Sequence, residues 1–343
     1  MRHLLTKGNA LALVDEHAGL PRGYVMLLFH ADHAIARIYS IAVAREWHGQ
    51  LVGKGLVAAA ERAAASRHCV RMRLEVRKDN MASRRLFKRA GYRVFGRHPR
   101  YYQDGMDAVR MERALLSCPE PSLSNVAYYR QTLGFTCGAC CLMMAMNAFD
   151  PSLVLDRTLE LQLWREATTI FMTAGHGGCG PYGLALAAAR RGFVSEVYVN
   201  GRRVPFRDSV RSEEKRDVIQ LVHDDFVRQV RGTPIRVHHK LDGTSELVRC
   251  LAAGGVALVL ISMYRLTRER APHWVLVTSC DEHCFYFHDP DNAERRGPGE
   301  LANLAILKTD FERMARYGRH ATRALVAVYP RAHRLPHMRS PRT

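Results

Sequence analysis

The first third of the chain alternates between short strand-like segments and helix-forming ones. Segments rich in β-branched, aromatic and other apolar residues predict strands at residues 10–14, 24–29, 36–43 and 71–77. An alanine-rich run at residues 56–65 has the composition of a strong helix, and a shorter helix is predicted from about residue 82 to about residue 89. These elements predict a mixed α/β domain over residues 1–116.

The pattern beyond residue 125 is also mixed α/β and predicts a second domain over residues 125–330. Helices are predicted at residues 138–148, 153–171, 182–191, 212–231 and 245–253, and strands at residues 195–199, 256–264, 273–279, 284–288 and 324–329. The intervening residues 117–124 hold two prolines and three serines, which is typical of a linker. The basic, proline-containing residues 331–343 are predicted to form a disordered tail.

Length and composition indicate a globular protein with reduced cysteines. At 343 residues, nearly half of them hydrophobic, the chain suits two domains that each have a core. The longest apolar stretch, residues 254–263, is far too short to span a bilayer, and the N-terminus lacks a signal-peptide pattern. We therefore expect a cytoplasmic protein without membrane contact, whose nine cysteines are free thiols.

The net charge of +18 is spread unevenly along the chain. Residues 1–116 carry 21 Lys+Arg against 10 Asp+Glu, a balance of +11, and the remaining 30 and 23 give +7. A basic surface suits nucleic acid, a ribosome, an acidic peptide or a phosphate-rich cofactor, but an arginine-rich composition inherited from a GC-rich genome explains the charge equally well. No recognition-helix, zinc-finger or stacking-aromatic pattern adds support for contact with nucleic acid or a ribosome.

One cysteine lies where a helix is predicted to begin. Cys137 follows a short polar turn and precedes an apolar helical run, and the free N–H groups of a helix N-terminus favour a thiolate. Gln131 can donate a side-chain N–H to a developing oxyanion. His273 and Asp289 follow downstream, in the order of a base and the group that orients it. Together the four residues predict a cysteine hydrolase, whereas Cys137 alone would more often be a small buried hydrophobe.

Residues 125–329 resemble the bacteriocin-processing cysteine peptidases of peptidase family C-thirty-nine and their stand-alone relatives, which cut leader peptides, often after double glycine. The matching motifs are Gln131-(x)5-Cys137-Gly-x-x-x-Leu142, Pro181-Tyr-Gly-Leu-Ala185, Pro272-His-Trp-Val275 and Asp289-Pro290. The resemblance implies a papain-like fold, with a cysteine-bearing helix packed on an antiparallel sheet. It implies a peptide or protein substrate, with Cys137 as nucleophile, His273 as base, Asp289 as its orienting partner and Gln131 in the oxyanion hole.

A loop with two glycines in the first domain is a candidate diphosphate cradle. It runs from Gln50 to Gly55, between a strand that ends at Val43 and the alanine-rich helix, where free N–H groups can bind an anion. The spacing is neither the dinucleotide fingerprint nor the P-loop, so a plain strand-to-helix turn is nearly as good an interpretation.

With this loop included, residues 10–115 resemble the GNAT N-acetyltransferases, most of all the ribosomal-protein alanine N-acetyltransferase type. The matching segments are Gln50-x-x-Gly53-x-Gly55, Leu74-Glu75-Val76-Arg77 followed by Asn80, Gly91-Tyr92, and Tyr101-Tyr102-x-Asp104-Gly105-x-Asp107-Ala108. The resemblance implies a mixed sheet with flanking helices and acetyl-CoA as cofactor. The cofactor would be bound by Val43, Gln50, Leu51, Val52, Gly53, Lys54, Gly55 and Asn80, and Glu75 would help to take the proton from the acceptor amine.

The first domain departs from this family in two ways. Phe87 stands where the family usually carries a tyrosine general acid, and Tyr101 or Tyr102 would have to substitute for it. The family's first strand and the two helices that shape the acceptor site are expected to be missing, which leaves either a misassigned start codon or a lost acceptor groove. The domain is therefore expected either to transfer acetyl groups or to remain as a binding or packing module.

Two weaker candidates lie in the second domain. Cys280, His283 and Cys284 could bind a metal together with His176 and Cys179, but loose thiols are the commoner explanation and no metal is expected. The glycine-rich residues 174–182 either line the cleft or form the loop before a helix with proline at its first position.

The leading interpretation is a cysteine hydrolase that acts on a peptide and is fused to an acetyl-CoA-binding GNAT module. The first alternative is N-acetylation of protein or peptide amines, with the rear domain as substrate binder. The second is a non-catalytic module that grips a peptide.

Overall fold

The computed structural model describes residues 9–29, 34–67, 69–115, 126–169, 177–207, 210, 212–262, 271–291 and 301–333. The chain divides into two compact units, one of residues 1–119 with 305–307 and the other of residues 120–304 with 308–343. The predicted linker at residues 117–124 lies outside the described residues, as does the predicted tail beyond residue 333.

A six-stranded mixed sheet forms the first unit. Its strands are β1 (Ala10–His17), β2 (Leu20–Phe29), β3 (Ile35–Val43), β4 (Arg71–Arg77), β5 (Arg93–His98) and β6 (Ala108–Ala114), in the order β1-β2-β3-β4-β6-β5. All neighbours are antiparallel except β3 and β4. Their parallel ladder stops at the pair Ile38 and Leu74, although both strands continue. Beyond this pair the ladder gives the two strands no further partners in each other.

Two helices among the described residues of this unit flank the sheet, as predicted for the fold class. Helix α1 (Val52–Ala65) buries Leu56, Ala60 and Ala64, spaced four residues apart, so they lie on one helix face that packs on the core. Helix α2 (Met81–Arg89) buries Phe87. Strand β6 was not predicted, because buried charged residues alternate with its apolar ones, and these charges are paired with neighbours on β4.

The described residues from 137 to 329 form a second sheet, of seven strands, and six helices. The strands are β7 (Val194–Val199), β8 (Arg236–His238), β9 (Val256–Ser262), β10 (Pro272–Cys280), β11 (Cys284–His288), β12 (Leu304–Leu307) and β13 (Ala324–Tyr329), in the order β12-β11-β10-β9-β13-β7-β8. The helices are α3 (Cys137–Phe149), α4 (Arg157–Ala167), α5 (Pro181–Arg190), α6 (Glu213–Arg231), α7 (Ser245–Ala252) and α8 (Lys308–Met314). Every helix of the described residues is too short or too polar to cross a membrane.

Helix α3 is the centre of the second core. Its residues from Cys137 to Met146 are all buried, and it packs against β10, β9 and α4. The pairs from β11 through β10, β9 and β13 to β7 are antiparallel, so the predicted arrangement of a cysteine-bearing helix on an antiparallel sheet is confirmed.

Several boundaries differ from the prediction. The helix predicted at residues 153–171 begins only at Arg157, because the Asp156 side chain accepts the Leu159 N–H at 2.8 Å and caps it there. It ends at Ala167, after which Thr168 forms a β-bridge with Cys179.

Strands β8 and β12 and helix α8 were missed because runs of three to seven residues are too short for a periodicity to show. The predicted strand end at residues 263–264 lies outside the described residues.

We expect Gly183→Ala to destabilise the second unit. A Cβ at Gly183 would lie 2.7 Å from the Cα and 2.8 Å from the carbonyl oxygen of Ala167, so α5 would have to move away from α4. Overpacking of this kind costs about 1–3 kcal/mol, which a lower urea midpoint of unfolding would show. Gly232→Ala is the control, because its Cβ meets only an ordinary contact at 3.6 Å. Equal midpoints for the two variants would contradict the expectation.

Candidate active site and cofactor loop

The predicted nucleophile is the first residue of a buried helix. Cys137 opens α3, directly after the N-cap residue Thr136, and is 7% exposed. Its side chain is hydrogen-bonded with the ring of His273. The structure therefore brings these two residues together across 136 positions of sequence, with the sulfur at the positive end of a helix.

The histidine and the aspartate meet because two antiparallel strands join them. His273 is the second residue of β10, and Asp289 directly follows β11, whose His288 lies opposite Leu276. The His273 Nε2 and the Asp289 Oδ1 are 2.7 Å apart, and both residues are buried. Since Nε2 is engaged by Asp289, Nδ1 is the ring nitrogen that faces Cys137.

The charge of the imidazole follows from these partners. Burial by itself would lower the pKa of His273, but the Asp289 carboxylate and Cys137 outweigh burial and hold that pKa well above its ordinary value of 6.5. The ring is therefore a buried imidazolium at neutral pH, flanked by a carboxylate and a sulfur. An imidazolium next to a cysteine is the usual arrangement of an activated thiol.

Gln131 is placed by a segment that runs beside the end of β11. The Val126 carbonyl oxygen is 2.9 Å from the His288 Nε2, the Tyr128 hydroxyl donates to the Asp289 carbonyl at 3.0 Å, and the Gln131 N–H donates to the Pro290 carbonyl at 2.8 Å. Gln131 is 4% exposed, and its Oε1 has no hydrogen-bond partner among the described atoms. The glutamine thus lies next to the Asp289–Pro290 corner with unused polar capacity.

A buried carboxylate that the sequence did not single out lies under this segment. Glu160 of α4 is fully buried and accepts hydrogen bonds from Tyr129, Thr132 and Thr136. The available sequence signal was an acidic residue among buried positions of a helix. Such a signal is weak, because the buried face of α4 is defined only once its packing partners are known.

Close packing beside Cys137 explains the glycine that follows it. A Cβ at Gly138 would lie 3.0 Å from the Cys179 Cβ and 3.1 Å from the Trp274 ring. The Trp274 Nε1 donates to the Cys179 carbonyl at 3.0 Å, and the Cys141 thiol donates to the Trp274 carbonyl at 3.4 Å. These contacts hold the start of α3 against the strand that carries His273.

Five of the other described thiols are less acidic than an ordinary cysteine. Burial raises the pKa of Cys69 to about 11 and that of Cys250 to about 12. Burial also raises the pKa of Cys140, Cys141 and Cys179. These thiols are protonated at neutral pH, and protonated thiols are poor nucleophiles.

The weaker candidates do not come together in the described structure. Among the described residues, no group of three or more His, Cys, Asp or Glu side chains is arranged to hold a metal ion. His176 and the glycine-rich residues 174–176 lie outside the described residues, and Pro181 is the first residue of α5. Cys179, proposed as a ligand, instead packs beside Gly138.

The glycine loop of the first unit leads directly into α1. Leu51 is the N-cap residue and has a left-handed backbone with φ of 62°, which is strained for a leucine. The Gly55 N–H donates to the Leu51 carbonyl at 2.9 Å, so the N–H groups of Val52, Gly53 and Lys54 precede the first intrahelical bond. A Cβ at Gly55 would have no heavy atom within 4 Å. The free donors and the open space fit a diphosphate.

The remaining cofactor candidates lie near this loop or cap a helix. The Val43 Cγ2 would be 3.8 Å from a Cβ at Gly53, and the Gln50 Nε2 donates to the Glu46 carbonyl at 3.2 Å. The Asn80 Oδ1 accepts the Ser83 N–H at 3.0 Å and caps α2. Asn80 therefore has an evident structural role beside its predicted contact with the cofactor.

Glu75, predicted to take the proton from the acceptor amine, is bound by two arginines. The Arg37 Nε donates to one carboxylate oxygen at 2.7 Å, and the Arg110 Nε lies 3.6 Å from the other. Phe87 is 2% exposed and packs edge-to-face on Tyr92, with ring centroids 5.3 Å apart. The Tyr101 hydroxyl accepts a hydrogen bond from Arg37 at 2.7 Å.

A helix that begins with a cysteine, packed on an antiparallel sheet that supplies a histidine and an aspartate, defines a papain-like fold. The family model described as the Peptidase_C39 like family matches residues 126–329, which is more than half of the chain. The chain therefore belongs to this family. The Acetyltransferase (GNAT) family model matches residues 2–92, so the first unit is a GNAT domain. Both resemblances seen in the sequence motifs are confirmed.

Known relatives match the first domain. An uncharacterized N-acetyltransferase of Methanocaldococcus jannaschii is 36% identical over 99 residues, and the match spans 29% of this chain and 62% of that protein. The ribosomal-protein alanine N-acetyltransferase structure from Escherichia coli is 23% identical, with a TM-score of 0.30, over 33% of this chain and 73% of that one. A Bacillus subtilis acetyltransferase in complex with CoA is 17% identical, with a TM-score of 0.29, over 32% and 79%.

We expect Asp289→Asn to lower the pKa of His273. The substitution removes the charge that opposes burial, and a hydrogen-bonded opposite charge typically accounts for roughly one to three pH units. NMR titration of labelled histidine should show the His273 midpoint at lower pH than in the wild type. Asp291→Asn, two residues away, is the control, because it keeps the Asp291 N–H on the Asp289 Oδ1 and should change the midpoint much less.

Linkage gives the same prediction a second readout. Because the pKa of His273 is raised on folding, its stabilising contribution is present below about pH 6.5 and is lost as the pH rises through the folded-state value. The Asp289→Asn variant should lose this dependence on the alkaline side in urea unfolding. An unchanged His273 midpoint would contradict the expectation.

Proposed function

We propose that the second domain is a cysteine hydrolase that cleaves a peptide or amide bond. The observation that carries the proposal is the buried hydrogen-bonded chain from Cys137 through His273 to Asp289, at the start of a helix. A non-catalytic peptide-binding module would have no need for a buried imidazolium between a sulfur and a carboxylate, because burying charge is costly.

In the proposed mechanism each of these residues has its own role. The Cys137 thiolate forms a bond to the carbonyl carbon, and the π electrons of the carbonyl move to its oxygen. The Gln131 side-chain N–H and the Cys137 backbone N–H stabilise the resulting oxyanion. The His273 imidazolium gives its proton to the amine, the C–N bond breaks, and a thioester remains.

Water completes the cycle. Neutral His273 takes a proton from the water, whose oxygen attacks the thioester carbonyl, and the C–S bond breaks to return the thiolate. Asp289 bonds the Nε2 throughout, so the Nδ1 keeps facing the reacting atoms. The match to the Peptidase_C39 like family favours a peptide as the substrate. Such a hydrolase would act, for example, in the maturation of a modified peptide.

For the first domain we propose acetyl-CoA binding, with N-acetylation of a peptide or protein amine as the second candidate function. The open space at Gly55 and the end of the β3–β4 ladder at Ile38 and Leu74 favour it, since a pantetheine arm carries amides that strand backbone groups beyond the ladder can bond. Phe87 cannot protonate a departing thiolate, and the Glu75 carboxylate is already bound by arginines. Slow transfer is therefore expected.

We expect Cys137 to be alkylated by iodoacetamide faster than the other thiols at pH 7, as followed by peptide mass spectrometry. His273→Ala should slow this reaction roughly tenfold or more, since an unassisted thiol is only a few per cent thiolate at that pH. His238→Ala is the control, because His238 pairs with Glu196 and not with Cys137. It should leave the rate of Cys137 alkylation unchanged.

Cleavage is tested on a peptide library that includes double-glycine sequences. New peptide termini should appear with the wild type and not with Cys137→Ala. Uniform alkylation of all thiols would contradict an activated nucleophile. Rapid alkylation of Cys137 without any cleavage would favour the peptide-binding alternative.

Acetyl-CoA binding is tested by titration calorimetry with two variants of one position. Gly55→Asp places a carboxylate in open space beside the cradle, so it should fold and weaken binding about tenfold or more by charge repulsion. Gly55→Asn has the same size without the charge and should bind more tightly than Gly55→Asp. Equal affinities for the two variants, or no binding by the wild type, would contradict a diphosphate at this loop.

A further inference from the structure

A single carboxylate ties together the segment that precedes the nucleophile. Glu160 Oε1 accepts the Thr132 N–H at 2.9 Å and the Thr136 hydroxyl. Its Oε2 accepts the Thr132 hydroxyl at 2.8 Å and the Tyr129 hydroxyl at 3.2 Å. Glu160 is 0% exposed, so these donors replace the water that the carboxylate lost on folding.

The donors share one place in the chain. Tyr129 and Thr132 flank Gln131 on both sides, and Thr136 immediately precedes Cys137. The Cys140 thiol, one helical turn after Cys137, also bonds the carboxylate. Glu160 thus holds residues next to both N–H donors assigned to the oxyanion hole, although it touches neither donor in any contact that the structure shows.

We propose that Glu160 is a positioning residue that aligns the oxyanion hole, holding the Gln131 amide and the Cys137 N–H in one geometry. The inference rests on the proposed hydrolase function. The carboxylate bonds both the N–H and the hydroxyl of Thr132, so it holds the main chain and the side chain of the residue that follows Gln131. Oxyanion donors act only when preorganised, and one lost donor costs about 10²–10³ in rate in other enzymes.

Three variants separate position, charge and stability. Glu160→Ala removes every acceptor. Glu160→Gln can keep the four contacts with Tyr129, Thr132 and Thr136, with its oxygen in the place of Oε1 and its NH₂ donating to the hydroxyl oxygens of Tyr129 and Thr132. Glu166→Ala is the matched control, because Glu166 lies on the same helix and pairs with Arg191 at 2.7 Å, outside this segment.

The probe is acetyl-glycyl-glycinal, a small peptide aldehyde. The Cys137 sulfur bonds the aldehyde carbon, the π pair moves to the oxygen, and the His273 imidazolium gives that oxygen a proton, so a hemithioacetal forms. Its affinity depends on the oxyanion hole. Alkylation by iodoacetamide does not, since no oxyanion forms, and it reports the thiolate alone.

We expect Glu160→Ala to weaken aldehyde binding about tenfold to a hundredfold, with alkylation of Cys137 changed by less than about threefold. Glu160→Gln should restore most of the affinity, and Glu166→Ala should match the wild type. Circular dichroism and gel filtration establish that each variant is folded. Should Glu160→Ala not fold, Thr132→Ala removes one hydroxyl donor while leaving the carboxylate, and should weaken aldehyde binding alone.

Wild-type affinity in folded Glu160→Ala, or in Thr132→Ala where that variant replaces it, would overturn the inference. Equal losses in aldehyde binding and alkylation, or the same loss in Glu166→Ala, would also overturn it, because either would show an effect of stability alone. A wild-type protein that alkylates rapidly at Cys137 but forms no adduct contradicts the hydrolase function itself, and the positioning role falls with it.

Discussion

The buried ion pair between His273 and Asp289 is the interaction on which the second domain's site depends. Two charges removed from water are stable only when each has a close partner and further hydrogen bonds. The structure meets this requirement by placing the end of β11 beside the start of β10, with the Asp291 N–H also donating to the Asp289 Oδ1 at 3.0 Å. The same corner receives the Gln131 N–H through Pro290. The backbone corner that completes the hydrogen bonding of this ion pair therefore also fixes the position of Gln131.

A second constraint acts from the other side of the nucleophile. Because Gly138 has no side chain, the start of α3 can approach Cys179 and Trp274 closely. Glu160 forms hydrogen bonds with Thr132, in the segment that precedes Cys137. One contact is apolar packing and the other is a satisfied buried carboxylate, and both leave little freedom for Cys137. Preorganisation of this kind allows a site to act without rearranging when charge develops.

The first domain also carries local energetic costs, at its candidate cofactor site. Its sheet pairs β3 and β4 only over their first residues, which gives up ladder hydrogen bonds in the middle of the sheet. The adjacent loop holds Leu51 in a strained conformation and presents the free N–H groups of α1. Such local costs are typical of binding sites. Arg37 and Arg110 pair with the Glu75 carboxylate, which opposes the role of proton acceptor that the GNAT resemblance implies for it.

The sequence by itself determined much of this protein. Apolar patterns located most helices and strands, and the motifs around Cys137, His273 and Gly55 identified both families, because those motifs are local in the chain. It did not determine that β6 would be a buried strand or that α4 would begin at Arg157, since cross-strand ion pairs and a single cap decide these. The sequence also did not single out Glu160, because its burial and its hydrogen-bond partners depend on the tertiary structure. Only the tertiary structure decided which buried charges meet, because burial makes a partner necessary, while the identity of that partner depends on residues far apart in the chain.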